Sequence, residues 1–269
     1  MNDKTYGKVH GAFRLALFFA ALLWVGLTML VLRPKTVMAR SLWKQRMCRL
    51  IARCMNLQID VIGDVPAEGM IVSNHLSYLD AVVLGAITPA VFVAKSEVRK
   101  WPLVGWLTAK GGTIYLQREN VRAAAEVNRA LTAVMNEKSP VVVFPEGTTT
   151  GATDPLPFHP ALYEPAMRTK TAVWPAALVY TVNGRSEYVA ERVCYWGDMT
   201  FVPHLVGLMR LRNIRAVVRI AERPVAASNR NDAAAMSHEV VQTMLRDGLV
   251  VPSGFAAERT VVVQQASLA

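Results

Sequence analysis

The chain is predicted to fold as an α/β protein: a mostly parallel or mixed sheet covered by helices, behind an N-terminal membrane-associated helical segment. Three observations predict this. Short valine-rich apolar runs alternate with helical patterns, as in sheets buried on both faces. An uncharged apolar run, Leu15 to Leu32, precedes them. The charge is concentrated around that run. Of a net +10, residues 1–53 carry +9, from ten Lys/Arg against Asp3 alone, so the rest of the chain is nearly neutral.

As a helix the apolar run would be about 27 Å long, close to the roughly 30 Å hydrocarbon core of a bilayer. A signal peptide has a shorter apolar region followed by small residues. Here Arg33-Pro34-Lys35 follows, like the flank of a stop-transfer segment. Between Ser41 and Leu57, the residues Leu42, Met47, Leu50, Ile51 and Cys54 recur at near-helical spacing among Lys44, Arg46, Arg49 and Arg53. This predicts an amphipathic helix lying in the membrane interface. Near anionic lipid each Lys or Arg contributes roughly 1 kcal/mol, and seven lie between residues 33 and 53. Their excess after the apolar run puts the folded body on the cytoplasmic side. Residues 1–57 are therefore expected to be the anchor, 58–252 the main domain and 253–269, which lack a pattern, a peripheral tail.

Within the body, strands are predicted at 69–73, 91–95, 113–116, 141–144, 172–181 and 214–221. The clearest helix runs from Asn120 to Glu137, with Ala124, Val127, Ala130, Leu131, Val134 and Met135 as its apolar side. Asn120 offers a cap and Ser139-Pro140 a stop. Further helices are predicted at about 78–87, 98–109, 200–211 and 231–247. Cys48, Cys54 and Cys194 have no metal-ligand spacing and leave an odd thiol in any pairing, so a reducing compartment is expected.

Several function classes fit poorly. The basic residues surround an apolar run, and neither a stacking-aromatic pattern nor zinc-finger spacing accompanies them, so a nucleic-acid partner is not expected. A hydrolase would want a Ser or Cys nucleophile, but there is no Gly-x-Ser-x-Gly and no cysteine near His75 in sequence.

The chemistry concentrates at His75 and Asp80. His75 follows a predicted strand, and Ser77 is placed to cap the helix starting near Tyr78. A tight turn there would fold Asp80 back onto the imidazole, making a base and its orienter. Ser77-x-x-Asp80 also reads as a capping box, and spacing leaves both readings open. Phe144-Pro145-Glu146-Gly147-Thr148-Thr149-Thr150-Gly151 follows another buried strand, where a carboxylate, glycines and hydroxyls suit ligand binding; a plain turn has the same composition. Arg118, at the end of a third strand, is placed to pair with a phosphate.

In this order the segments resemble the glycerolipid acyltransferase family, best known from the 1-acyl-glycerol-3-phosphate acyltransferases. Four blocks carry the resemblance: Asn74-His75-x4-Asp80; Gly112-x-Ile114-x3-Arg118; Phe144-Pro145-Glu146-Gly147-Thr148; and Val173-Trp174-Pro175-Ala176. It extends from about residue 58 to 225. The resemblance implies direct acyl transfer, with His75 deprotonating a lysolipid hydroxyl, Asp80 orienting it and the alkoxide attacking the thioester of acyl-CoA or acyl carrier protein. It implies that Arg118 binds the acceptor phosphate, that Glu146, Gly147 and Thr148 shape the same pocket, and that Lys95 meets the donor's phosphates. Neither metal nor cofactor is implied. The partners are membrane lipids and the acyl donor, at a bacterial inner membrane. One departure bears on the acceptor: many lysophosphatidate acyltransferases carry Arg-Ser where this chain has Thr149-Thr150, a form similar to lyso-ornithine lipid acyltransferases and lysophospholipid remodelling enzymes. Arg118 puts 1-acyl-glycerol-3-phosphate first and those acceptors second. A non-catalytic lipid-binding protein of the same fold would be expected to have lost the His/Asp pair.

Overall fold

The computed structural model describes residues 3–101, 103–116, 121–151, 154–248 and 259–261. Its strands are β1 (Leu57–Ile62), β2 (Met70–Ser73), β3 (Val91–Lys95), β4 (Ile114–Leu116), β5 (Val141–Val143), β6 (Val173–Val182), β7 (Ile214–Ile220) and β8 (Arg259–Val261). They form one sheet in the order β4-β3-β5-β2-β6-β7-β1-β8. From β4 to β6 the neighbours are parallel; β7 runs antiparallel to β6 but parallel to β1, and β8 is antiparallel to β1. The sheet is therefore mixed, as predicted.

The helices are α1 (Asp3–Leu32), α2 (Val37–Cys54), α3 (Leu79–Ile87), α4 (Val104–Lys110), α5 (Val121–Asn136), α6 (Glu164–Thr169), α7 (Val189–Arg192), α8 (Phe201–Arg210) and α9 (Arg230–Gly248). Alternation along the strands divides them between two cores. Ile71, Val142, Leu178 and Tyr180 face a core shared with α1, α2, α3 and α8. Met70, Val72, Val141 and Val143 face a second, shared with α5, α6 and α9. Burying such a side chain fully contributes about 1.5–3 kcal/mol, which explains why central strands as short as β2 and β5 persist.

All six predicted strands are present. β1 was not expected, because Gln58 and Asp60 interrupt its apolar residues; Asp60 is accommodated by an ion pair with Arg215 on β7. β8 comes from the tail that reads as patternless and pairs along the edge of β1. The predicted helix at 98–109 is divided into a 3-10 turn, Ser96–Lys100, and α4. Between them Leu103 takes a positive φ of 59°, and Gly105 lies so close to the Arg99 carbonyl that a Cβ would collide with it. In α5, Val127, Leu131, Val134 and Met135 are buried as expected, whereas Ala130 is exposed, so the apolar stripe is narrower than predicted. Asn120, the expected cap, lies outside the described residues.

Helix α1 has two apolar faces. Its segment Val9–Leu32, with mean hydropathy 2.5, is long and apolar enough to cross a membrane, yet a third of it is buried. Phe18, Leu22, Val25 and Met29 are buried, one face of a 3.6-residue period, where α1 packs on α2 and α8. Leu23, Trp24, Leu27 and Val31 are all more than half exposed. Helix α2 departs from the expected interfacial helix. Met47 is buried and Leu50, Ile51 and Cys54 pack on the protein core, while Lys44 is buried and Arg49 donates to the Ala86 carbonyl at 2.8 Å. Its apolar side therefore meets α3 and the sheet, leaving Arg40, Arg46 and Arg53 as its exposed cations.

Candidate active site

The candidate residues converge at the carboxyl ends of β2 and β5, where ligands bind in open α/β sheets. Beyond β2, Asn74 extends the ladder with its side chain. Its amide donates to the Leu178 carbonyl at 2.9 Å and accepts from the Leu178 N–H at 2.8 Å, as another strand residue would. The next residue, His75, is thereby held at the start of the turn into α3.

Asp80, in the first turn of α3, is fully buried. Its Oδ2 accepts from His75 Nδ1 at 2.8 Å, from Leu76 N at 2.6 Å and from Ser77 N at 2.9 Å. Its Oδ1 accepts from the Tyr180 hydroxyl at 2.8 Å. The carboxylate thus caps the turn and orients the imidazole at once, so the two sequence readings describe one arrangement. The Ser77 hydroxyl has no hydrogen-bond partner among the described residues, so the reciprocal half of a capping box is missing. With Nδ1–H committed to Asp80, His75 Nε2 remains to accept a proton. The ring is 20% exposed and stacks on Phe144, with centroids 4.1 Å apart and planes at 12°.

The β5 loop is bound to the same turn. Glu146 is buried, accepting from His75 N at 2.7 Å and Leu156 N at 2.9 Å. Burial pushes its carboxyl above the usual range, opposed by those two N–H groups. The Thr150 N–H donates to the His75 carbonyl at 3.0 Å. Gly147, at a φ of +66°, takes the left-handed conformation that favours glycine.

His75 opens onto a cavity of about 360 Å³, lined mainly by apolar side chains of α1, α2, α3 and β3, together with Gly147, Thr148, Thr149 and Lys95. The structure therefore brings together His75, Asp80, Gly147, Thr148 and Lys95. Glu146 braces the two loops and is absent from the cavity wall. Arg118 lies outside the described residues. Among the described residues the cysteines are free, and burial with the Asp80 charge pushes the Cys194 thiol up to about 12, which leaves it a poor nucleophile.

Two features escaped the sequence reading. Tyr180 follows Ala176 and Leu178 on the buried face of β6, and a tyrosine at such a position needs a hydroxyl partner; that need was the available signal. Burial and the Asp80 charge hold its phenol well above its ordinary pKa, so it stays a donor. Tyr180→Phe is expected to lower stability by about 1.5–3 kcal/mol, the worth of a hydrogen bond to a charged group, as a drop in thermal midpoint in detergent. The second is Tyr78, which lines the cavity and contacts His204 at 3.0 Å. His204 Nε2 donates to the Cys194 carbonyl at 2.9 Å. Burial holds this imidazole below its usual pKa, so it is neutral and its Nδ1 accepts from the Tyr78 hydroxyl.

Comparison with known proteins agrees with this geometry. A family profile described as Acyltransferase matches residues 58–179. The lyso-ornithine lipid O-acyltransferase of Pseudomonas aeruginosa is 31% identical over 76% of this chain and 76% of its own length. That of Brucella abortus is 31% identical over 89% of this chain and 97% of its own. A 1-acyl-sn-glycerol-3-phosphate acyltransferase of Neisseria gonorrhoeae is 32% identical over 43% of this chain and 45% of its own. The crystal structure of the 1-acyl-sn-glycerophosphate (LPA) acyltransferase PlsC from Thermotoga maritima shares the fold, with a TM-score of 0.57 at 18% identity over 91% of this chain and 100% of that one. With the His75–Asp80 turn, the Phe144–Thr148 loop and relatives matching over most of its length, the chain belongs to the glycerolipid acyltransferase family.

Proposed function

We infer that this protein is a lysolipid O-acyltransferase that transfers a fatty acyl group from acyl-CoA or acyl carrier protein to a lysolipid hydroxyl. The observation that carries the reading is the His75–Asp80 pair opening onto a largely apolar cavity. His75 Nε2 takes the hydroxyl proton as the acceptor oxygen attacks the thioester carbonyl. When the tetrahedral intermediate collapses, the C–S bond breaks and the protonated imidazole returns its proton to the leaving thiolate. Asp80 stabilises the imidazolium between these steps, and the cavity holds an acyl chain. An intact pair favours this reading over a non-catalytic lipid-binding role.

For the acceptor, lyso-ornithine lipid ranks first. Thr149, in the cavity wall, stands where many phosphate-binding relatives carry an arginine, and a threonine supplies no bidentate charge. The lyso-ornithine lipid O-acyltransferases of Pseudomonas aeruginosa and Brucella abortus match 76% and 89% of this chain, the Neisseria gonorrhoeae 1-acyl-sn-glycerol-3-phosphate acyltransferase 43%. Lysophosphatidate is the second reading, supported by Arg118 in the sequence. A panel of both lysolipids, each offered with acyl-CoA and acyl carrier protein thioesters, tests this on the purified protein. Faster acylation of lyso-ornithine lipid is expected; the reverse order would reassign the acceptor, and transfer to neither would overturn the activity.

The anchor, residues 1–57, binds one leaflet on the cytoplasmic side of a bacterial inner membrane and holds the 58–252 domain against it. Support comes from α1, whose buried face stays on the body from Phe18 to Met29 and whose Thr28 hydroxyl accepts from Trp43 Nε1 at 3.1 Å. A helix so attached inserts sideways, exposed face first, instead of leaving the body to cross the bilayer. Phe18 and Leu22 also line the cavity, so chains pass between the lipid and His75 along the anchor.

A further inference from the structure

Lys44 is out of place among the cavity's lining residues. The wall around it is largely hydrocarbon and aromatic, yet Lys44 is only 7% exposed and sits in it. An ammonium has three N–H donors. One meets the Gly111 carbonyl at the end of α4, at 3.2 Å, and the Phe92 ring lies under the group with its centroid at 5.1 Å. Among the described residues no carboxylate pairs with it, and burial pulls its pKa down to about 8, the response of a charge short of polar partners. Two hydroxyl-bearing residues, Thr108 and Thr113, line the same cavity.

Strand register locates this polar spot relative to the chemistry. Phe92 pairs with Val142 on β5, while Val143 pairs with Val72 on β2. Phe92 thus lies level with Ile71, four residues or about 13 Å back from His75 along the strands and about 10 Å across two strand spacings, roughly 16 Å in all. An extended hydrocarbon advances about 1.25 Å per carbon given its ~1.52 Å bonds, so a chain bound with its thioester at His75 passes Lys44 near its twelfth to fourteenth carbon.

We propose that Lys44 is a specificity residue which makes this cavity prefer aliphatic chains carrying an oxygen function, a hydroxyl or carbonyl, far from the reacting end. A plain hydrocarbon entering the cavity displaces water from the ammonium and leaves its remaining donors unmatched. An oxygen at the right depth accepts one of them. The preference rests on the acyl-transfer reading above, and the chain concerned belongs either to the donor or to the lysolipid.

The test compares matched thioesters on the full-length protein in detergent: hexadecanoyl-CoA against analogues hydroxylated at the third carbon and at the twelfth to fourteenth. A second arm keeps hexadecanoyl-CoA and places the same hydroxyls on the lysolipid's chain. In one of the arms, kcat/KM is expected to favour the distally hydroxylated chain by about tenfold, with no gain from a hydroxyl at the third carbon. Lys44→Met should erase that ratio, and Lys44→Gln, which keeps a donor, should retain part of it. Equal use of plain and distally hydroxylated chains by the wild type in both arms would overturn the proposal even if neither variant folds, and so would an unchanged ratio in a folded Lys44→Met protein. Absence of transfer from every thioester would instead overturn the acyl-transfer reading and this inference with it.

Discussion

His75→Ala is expected to remove nearly all acyl transfer, a loss of about 10² to 10⁴-fold from general-base catalysis, while folding and membrane binding persist. The separation follows from what His75 does and does not hold up. Its ring is a wall of the cavity and stacks on Phe144, so truncation enlarges a space that is already open. Asp80 keeps the N–H groups of Leu76 and Ser77 and the Tyr180 hydroxyl as donors. The contacts that fasten the loop, from Glu146 and Thr150, go to the backbone of His75 and survive the substitution. Turnover of lysolipid by the purified variant, beside vesicle co-sedimentation and a thermal melt, checks both halves. A folded, membrane-bound variant with wild-type turnover would remove the proposed mechanism, because no other group in the described cavity wall is so placed to take the hydroxyl proton.

How much of this was legible in the sequence depends on where each contact lies along the chain. The His75–Asp80 pair spans five residues, so a turn model could foresee it, although composition could not separate a cap from an orienter. The structure shows why: a single oxygen of Asp80 does both. Tyr180 is a hundred residues from Asp80, and nothing local marks it apart from a hydroxyl on a buried strand face. Glu146 was legible as a site residue but not in its attachment, since a carboxylate in a Pro-Gly loop reads as facing ligand. Here two backbone N–H groups turn it inward. Among the helices, α2 was misplaced for a related reason. Its amphipathic spacing fits a membrane interface and a protein core equally, and what decided was α3 and the sheet supplying an apolar surface first. Lys44 then became a buried cation where a solvated one was expected. The strands were read more reliably, because runs such as Val141-Val142-Val143 are buried on both faces whatever their partners.

Asp80→Asn and Asp80→Ala should separate the two duties of this carboxylate. In the asparagine variant the amide oxygen can face Leu76 N, Ser77 N and His75 Nδ1, while its NH₂ faces the Tyr180 hydroxyl, which then turns to accept. The N–H groups of Leu76, Ser77 and His75 keep their acceptor and only the Tyr180 hydroxyl proton loses its own, so the fold is expected to survive. What disappears is the charge opposite the imidazolium that forms during transfer. Losing one such preorganised stabiliser lowers kcat by about 10² to 10³-fold, with KM for both substrates little changed because Asp80 touches neither. The alanine variant is a different experiment. It strands two backbone N–H groups and a phenol where Asp80 is fully buried, at about 1–3 kcal/mol for each unsatisfied group, against a total stability of about 5–15 kcal/mol for a folded protein. Its thermal midpoint should fall far below that of the asparagine variant, and its inactivity would carry no mechanistic weight. The informative measurement is therefore kcat of Asp80→Asn at a melting temperature near the wild type. A wild-type rate there would show that His75 needs only a neutral acceptor at Nδ1 to orient it and not the charge of Asp80.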